Sequence, residues 1–292
     1  MIKNMTEQIL YHYTTMNTFY AMMEHSLCYE GEDYHPKYLT MWATHYAHQN
    51  DPIECKLFLN GLQKAVKNYT KKHNIVLSSE DEQLLYEPWY GMGIYTVSFS
   101  EQEDDLTMWR GYGQNGDGIC LGFDFSKLPH LPMAHLLDYE SIGEVPEMDK
   151  TILYQNDRPS RCRYVKPHDD YIPNDAISRT IENLLSEKKE WRDIIQIGIR
   201  DNYAPLFKHY KYEQEKEWRI VHHGVMPKYR IVNDRDMIPY LEVKISIDCL
   251  RKIVIGPCIS SKENAMNVKK YLRSKSIDVD VVESEVPYRN RF

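Results

Sequence analysis

The stretch Tyr95-Thr96-Val97-Ser98-Phe99-Ser100 alternates apolar and polar side chains with a period of two. That period is typical of a half-buried β-strand, because successive side chains of a strand point to opposite faces of the sheet. The aromatic and branched side chains are expected on the core face, and Thr96, Ser98 and Ser100 share the other face. The stretch therefore predicts a strand that displays hydroxyl groups above a packed back.

Two other apolar stretches are organised in the same way, 10–14 near the start of the chain and 215–221 much later. The first places His12 and Thr14 on one face, and three charged side chains share one face of the second: Glu215, Glu217 and Arg219. Each stretch by itself also fits the solvent face of an ordinary amphipathic strand. Together, the three stretches predict adjacent strands whose polar faces form one cleft.

Around these stretches, the chain alternates short strands with helices of unequal length. Helices are predicted after the first strand, ending near Ser26, and then at 38–48, 54–72, 80–87, 104–112 and 174–203. Strands are predicted at 93–100, 118–125, near Ile152, 241–247, 252–255 and 278–282, with a capping box at 260–263 opening a helix. Strands in clusters, without regular βα alternation, favour an α+β fold with a mixed or largely antiparallel sheet.

Length and composition favour one domain over residues 1–292, because 292 residues with 42% hydrophobic content can bury a large core. Within it, a mainly helical insertion at about 27–92 is expected to cover the sheet, and the helix at 174–203 is expected to be long. The net charge of -7 argues against a global footprint for nucleic acid or anionic lipid, although 158–166 is a local basic patch. No apolar run reaches the roughly 18 residues of a membrane span, so a cytoplasmic protein without a membrane partner is expected.

Three familiar kinds of site are weighed against the sequence. Residues 111–116 fit the letters G-x-G-x-x-G, but they follow a predicted helix and precede a strand, the reverse of a dinucleotide-binding turn. A loop beside a ligand is therefore favoured.

His45 and His48 with Asp51 leave a metal-dependent hydrolase open, although no H-E-x-x-H motif accompanies them. No G-x-S-x-G or Walker-type motif occurs.

Several motifs in order resemble a bacterial domain-of-unknown-function family, numbered 2971. These motifs are Tyr11-His12-Tyr13-Thr14, 50–54, 98–100, Met108-Trp109-Arg110-Gly111-Tyr112, 118–124 and 215–220. A strand-borne histidine, a later strand with serines and a last strand that starts at Glu also resemble the three-part active site of ADP-ribosyltransferases. Those enzymes cleave the nicotinamide bond of NAD, so the resemblance implies an ADP-ribosyltransferase-like sheet with helical insertions and NAD as substrate.

The resemblance implies a role for each matching residue. His12 would hold a ribose hydroxyl of NAD, Glu217 would steady the oxocarbenium ion, and Glu215 would activate the acceptor. The remaining NAD-binding candidates are the neighbours of these motifs: Tyr13, Thr14, Ser98, Ser100, Trp109, Arg110 and Tyr112. Arg110 is chosen as a pyrophosphate ligand because it lies beside the glycine-rich loop. The chain combines the histidine of one class of these enzymes with the Glu-x-Glu of another.

The function expected from this resemblance is the transfer of ADP-ribose from NAD to a protein or nucleic acid, as in a bacterial toxin or an antiphage effector. A catalytically silent module that binds a nucleotide or a protein in the same cleft is the alternative. The structure discriminates between them at Glu217, since burial of that carboxylate in an ion pair with Arg219 would favour the silent module.

Overall fold

A computed structural model describes residues 9–26, 37–51, 53, 55–86, 93–128, 158–167, 170–186, 203–224, 226–232 and 235–288. Its strands are β1 Ile9–Thr14, β2 Tyr38–His45, β3 Gly93–Ser100, β4 Ile119–Asp124, β5 Ser160–Arg161, β6 Arg163–Val165, β7 Phe207–His209, β8 Glu217–Gly224, β9 Lys228–Val232, β10 Asp236–Ser246, β11 Leu250–Ile255 and β12 Asp280–Glu283. Its helices are α1 Met16–Ser26, α2 Lys56–Lys72, α3 Ser79–Tyr86, α4 Leu106–Gly111, α5 Asn174–Leu185 and α6 Ser261–Ser274.

Ten of these strands form one sheet with the main order β12-β11-β4-β1-β3-β2-β10-β9, and β8 joins β3 outside this path. The pairs in it are antiparallel except β11 with β12, which run parallel on either side of α6. β6 and β7 form a separate parallel pair. The predicted α+β class with a mixed, largely antiparallel sheet is confirmed. None of the described helices is long and apolar enough to span a membrane.

The middle of the sheet divides at β3. β8 pairs with β3 along the whole length of β3, from Gly93 to Ser100, and so occupies one edge of that strand. The other edge is shared, because β1 pairs only at Ser100 whereas β2 pairs only at Tyr95 and Thr96. β1 and β2 therefore diverge from each other beside the centre of β3, and the divergence opens a gap in the sheet.

Apolar side chains pack on the sheet in separate clusters. The largest joins α1 and α6 to the sheet and includes Phe19, Phe99, Phe123 and Leu272. A second cluster packs α2 and α5 against β7 around Phe58. A third lies behind β1 and is centred on the fully buried Trp109. These cores hold the strands that border the gap.

Three sequence predictions are wrong. The helix expected at 38–48 is the strand β2, which joins the sheet through β10 rather than covering it. The helix expected at 174–203 is interrupted after Leu185, where Ser186 takes an extended backbone conformation with ψ 140°, and 187–202 lie outside the described residues. Ser260 makes no side-chain capping bond to α6, so the expected capping box is not formed.

The helices expected at 54–72 and 80–87 are confirmed as α2 and α3. The strands expected at 10–14, 93–100, 118–125, 241–247, 252–255 and 278–282 correspond to β1, β3, β4, β10, β11 and β12. The strand expected near Ile152 lies outside the described residues.

Candidate functional site

A cavity of about 240 Å³ lies where β1 and β2 separate beside β3. Side chains from both halves of the divided sheet line it, together with the start of β8 and the end of α4. Its polar lining residues are Tyr11, His12, Tyr13, Thr14, Thr15, Thr18, Trp42, Thr44, Gln49, Asn50, Thr96, Ser98, Tyr112, Lys208, Glu215, Glu217, Arg219 and Arg230. The three stretches that the sequence singled out therefore meet in one place.

His12 fills part of the gap between β1 and β3. Its Nδ1 lies 2.8 Å from the carbonyl oxygen of Ser98, at the stretch of β3 edge that neither β1 nor β2 pairs. The carbonyl accepts the Nδ1 hydrogen, which leaves Nε2 of the neutral ring as an acceptor. Burial lowers the pKa of His12 below its usual value, and the charge of Arg230 lowers it further. The neutral form is the one suited to accept a ligand hydroxyl.

Glu217 opens β8 and is almost completely buried, at 5% exposure. Its Oε1 accepts from Arg219 Nε at 2.7 Å, while its Oε2 accepts from Lys208 Nζ at 2.5 Å and from Arg219 Nη2 at 3.1 Å. Burial alone would raise the pKa of Glu217, but the charges of Arg219 and Lys208 outweigh it and lower the pKa to about 2. The carboxylate is therefore ionised, fixed in direction and paired with two cations.

Glu215 reaches the cavity by another route than the sequence suggested. It ends a 3₁₀ turn at Tyr210–Glu215, and Lys216 then takes a left-handed conformation with φ 43° before β8 begins. The expectation that Glu215 and Glu217 share one face of a single strand is wrong, because the backbone turns between them. Its carboxylate still lines the cavity, where it accepts from the Tyr112 hydroxyl at 2.5 Å and pairs with Lys208.

The hydroxyl residues of β1 and β3 separate into two roles. Thr14, Thr96 and Ser98 line the cavity. Ser100 is buried and does not line it: its hydroxyl donates to the carbonyl oxygen of Glu215 at 2.6 Å and accepts from the Gln102 amide at 3.0 Å. Ser100 therefore holds the turn before β8 rather than a ligand.

Of the four aromatic and basic candidates, the structure brings Tyr112 and Tyr13 to the cavity. Tyr13 lines it while its ring packs edge-on against Trp109, with the centroids 4.9 Å apart, and its hydroxyl donates to the Gln102 carbonyl. Trp109 is fully buried, and its Nε1 donates to Asp104. Arg110 is exposed and lies over the Tyr288 ring at 5.1 Å, outside the cavity lining. Neither Trp109 nor Arg110 is placed to touch a ligand there.

The loop at 111–116 connects α4 to β4, as its position in the sequence predicted. For the metal alternative, the rings of His45 and His48 lie 6.1 Å apart, and Nδ1 of His45 accepts from the Ala47 amide. Among the described ranges, no group of three or more His, Cys, Asp or Glu side chains is arranged to hold a metal ion.

Sequence reasoning missed several lining residues, chiefly Lys208, Arg230, Trp42 and Thr44. Trp42 and Thr44 were hidden by the helical interpretation of 38–48. Lys208 lies on the three-residue strand β7, too short for a recognisable period. Arg230 stands between two exposed apolar residues of β9, an alternation that could have been recognised.

The lining carries more positive than negative side chains. Lys208, Arg219 and Arg230 face the cavity together with two carboxylates, so its formal charge is positive while His12 is neutral. Lys208 remains protonated: burial alone would lower its pKa, but the Glu217 charge raises it above the usual value. The wall thus combines a positive balance with hydroxyl, amide and imidazole groups, which suits an anionic ligand that carries hydroxyls.

Comparison with known proteins gave one family. The model of a family described as "Protein of unknown function (DUF2971)" matches residues 108–220. The searches of curated proteins and of solved structures found no significant match. The matched part begins in α4, contains β4 to β7 and ends within β8 at Ile220, so Tyr112, Lys208, Glu215, Glu217 and Arg219 lie inside it and His12, Ser98 and Arg230 lie outside. Over residues 108–220, the chain is therefore similar to this domain-of-unknown-function family.

Proposed function

We propose that the chain is an ADP-ribosyltransferase-like enzyme that binds NAD in this cavity and cleaves its nicotinamide bond. The proposal includes the fold type, with the divided sheet as the counterpart of the sheet in those enzymes. The acceptor is proposed to be a protein or a nucleic acid, and the biological role that of a bacterial toxin or an antiphage effector.

One observation carries the proposal. His12, Ser98 and Glu217 come from three strands far apart in sequence, and all three line a single cavity of about 240 Å³. The resemblance described above requires this meeting of a histidine strand, a serine strand and a glutamate strand. The positive balance of the lining adds support, because NAD carries a pyrophosphate.

The chemistry follows from the positions of the groups. The bond between the nicotinamide nitrogen and the ribose carbon breaks, and its electron pair leaves with nicotinamide. The acceptor oxygen or nitrogen then bonds to the same carbon and releases a proton, for which Glu215, a carboxylate of the cavity lining, would be the base. Neutral His12 accepts a ribose hydroxyl through Nε2.

Glu217 would act by its negative charge on the ribosyl cation. Among its described contacts, Oε1 accepts a single hydrogen bond, from Arg219 Nε, whereas Oε2 accepts two. A carboxylate oxygen has two lone pairs, so Oε1 keeps one for a ribose hydroxyl. Lys208 and Arg219 weaken the field of Glu217 and leave its direction fixed.

The test is a measurement of nicotinamide release and of label transfer. The full chain is incubated with a cell lysate and NAD labelled in the adenylate half, beside the variants Glu217→Gln and Glu283→Gln. Glu283 is a matched control, because this exposed glutamate lies on β12 at the far end of the sheet. Release is expected to fall about a hundredfold or more in Glu217→Gln and to stay unchanged in Glu283→Gln. No release by the wild-type chain would overturn the proposal.

The second candidate is a catalytically silent module that binds a nucleotide in the same cavity. The ion pair between Glu217 and Arg219 favours it, since a carboxylate engaged by two cations is also a common structural element. NAD that binds without release of nicotinamide, and with equal affinity in the wild-type chain and Glu217→Gln, would select this candidate over the enzyme.

A further inference from the structure

Arg230 stands apart from the other cations of the cavity. Lys208 and Arg219 both pair with glutamates, whereas no carboxylate lies within ion-pair distance of Arg230 among the described residues. It is only partly exposed, and its charge is close enough to lower the pKa of His12. A cation withdrawn from water without a counter-ion is costly unless a ligand supplies the negative charge.

The surrounding strands hold the guanidinium in place. Arg230 lies on β9 and reaches across β10 to β2, where its Nη2 donates to Thr44 Oγ1 at 2.9 Å. The guanidinium carbon lies over the rings of Trp42, at 5.3 Å from the centroid, and Tyr240, at 5.9 Å. Such stacking restricts the side chain, so the charge is directed before any ligand arrives.

The wall around Arg230 holds more donors than acceptors. Within the part of the chain that the structure describes, Arg230 Nε and Trp42 Nε1 are both buried without a hydrogen-bond partner. Unmatched buried donors are rare in folded proteins, and each calls for an explanation. An acceptor-rich anion beside them supplies one, since it would offset both the charge and the surplus of donors.

We propose that Arg230, positioned by Thr44 and Trp42, binds a phosphoryl group of the ligand, the pyrophosphate if the ligand is NAD. The identity of that ligand rests on the proposed function; the subsite itself rests on the unpaired cation and its donors. Arg230 takes the place that the sequence had given to Arg110. The ribose would then lie toward His12 and Ser98, with the glutamates beyond.

The test compares a ligand that carries phosphates with one that does not, and neither needs to react. ADP-ribose is titrated into the wild-type chain, Arg230→Gln, Arg230→Lys and the control Arg235→Gln. Arg235 belongs to the same hairpin, but it is exposed and pairs with Asp236. Nicotinamide riboside, which lacks the pyrophosphate, and inorganic pyrophosphate are titrated in parallel.

ADP-ribose affinity is expected to fall about tenfold or more in Arg230→Gln and less in Arg230→Lys, which keeps the charge but loses the planar fork. Inorganic pyrophosphate is expected to compete in the wild-type chain only, and the affinity for nicotinamide riboside is expected to stay unchanged. Arg235→Gln should match the wild-type chain throughout. The unfolding midpoint of each variant shows whether it is folded. If Arg230→Gln is unfolded, the ADP-ribose affinity of Arg230→Lys is compared with that of the wild-type chain instead.

Two results would overturn the subsite: equal ADP-ribose affinity in a folded Arg230→Gln chain and the wild type, or a wild-type chain that binds neither ADP-ribose nor pyrophosphate. Failure of the proposed function is distinguishable, because it appears as absent nicotinamide release while the dependence of ADP-ribose binding on Arg230 persists.

Discussion

At the residue scale, the two serines on the polar face of β3 differ in what they contact. Ser98 lines the cavity, whereas the Ser100 hydroxyl donates to the Glu215 carbonyl and accepts from the Gln102 amide. Both residues are serines on the same face of β3, so the sequence alone could not show that they have different contacts. The difference arises from the turn before β8, which reaches Ser100 but not Ser98.

A matched pair of substitutions checks this difference. Ser100→Ala leaves the partly buried Glu215 carbonyl and Gln102 amide without this partner, so the free energy of unfolding is expected to fall by about 1–3 kcal/mol. Ser98→Ala is expected to change it by less than about 0.5 kcal/mol and to weaken ligand binding instead. Urea unfolding measures the first effect, and ADP-ribose titration measures the second. An equal loss of stability in both variants would contradict these assignments.

The buried histidines give the chain an acid-sensitive stability. Burial lowers the pKa of His223 to about 4, with a further contribution from His222, and burial also lowers the pKa of His12. The unfolded chain therefore binds protons first as the pH falls below about 6.5, so stability is complete above that pH and decreases toward pH 4. Glu217 acts in a lower window, between about pH 4.5 and 2, because its pKa is lowered to about 2.

Unfolding free energy measured from pH 7 to pH 4.5 tests this account. The His223→Asn variant is expected to show a flatter decrease, with a difference of up to about 3 kcal/mol across the window. His73→Asn is the control, because His73 is exposed at the end of α2. A wild-type chain whose stability is constant over this range would contradict the prediction.

At the element scale, the connection from α4 to β4 owes its glycines to close packing. A Cβ at Gly118 would lie 2.3 Å from the Thr14 carbonyl oxygen at the end of β1, and Gly116 has φ 94°. A Cβ at Gly111 would meet no described residue within 4 Å. Of the three G-x-G-x-x-G glycines, Gly113 and Gly116 are required by this tight connection, since a Cβ at Gly113 would lie 2.4 Å from the Trp109 ring, whereas Gly111 is not.

Alanine substitutions at Gly118 and Gly111 distinguish a glycine required by close packing from one that is not. Gly118→Ala is expected to push β4 from β1 and to lower the free energy of unfolding by about 1–3 kcal/mol or more. Gly111→Ala is expected to leave it unchanged or to raise it by up to about 1 kcal/mol, because alanine favours the helix. Thermal unfolding of both variants provides the measurement, and a neutral Gly118→Ala would show that the backbone relaxes around the added methyl.

The strand β2 shows where local patterns fail. Leu39, Met41 and Ala43 belong to the core, while Trp42 and Thr44 line the cavity. Because Thr40 is buried and Trp42 is largely apolar, the polar face is weakly marked in the sequence, and such a short run can be read as a helix. β1, β3 and β10 kept their alternation and were predicted from it.

At the scale of the whole molecule, the meeting of distant strands is what the sequence could only suggest. His12, Ser98 and Glu217 were selected one by one from their polar faces, and the long-range pairing of β1, β3 and β8 joins them. Lys208 and Arg230 enter the cavity from β7 and β9. No local pattern near Lys208 indicated a site, and the alternation around Arg230 indicates a strand but not its place in the cavity. The polar faces of the strands could be predicted from the sequence, whereas the positions of the cations around them are set by the assembled sheet.

The central claim is that this cavity binds NAD through His12. Its most direct test is calorimetric titration of the full chain with a carbocyclic NAD analogue, which cannot release nicotinamide. We predict binding at one site, with affinity at least about tenfold weaker in His12→Ala, where the Nε2 acceptor is lost. No binding by the wild-type chain, or equal affinity in the folded His12→Ala variant, would contradict the account.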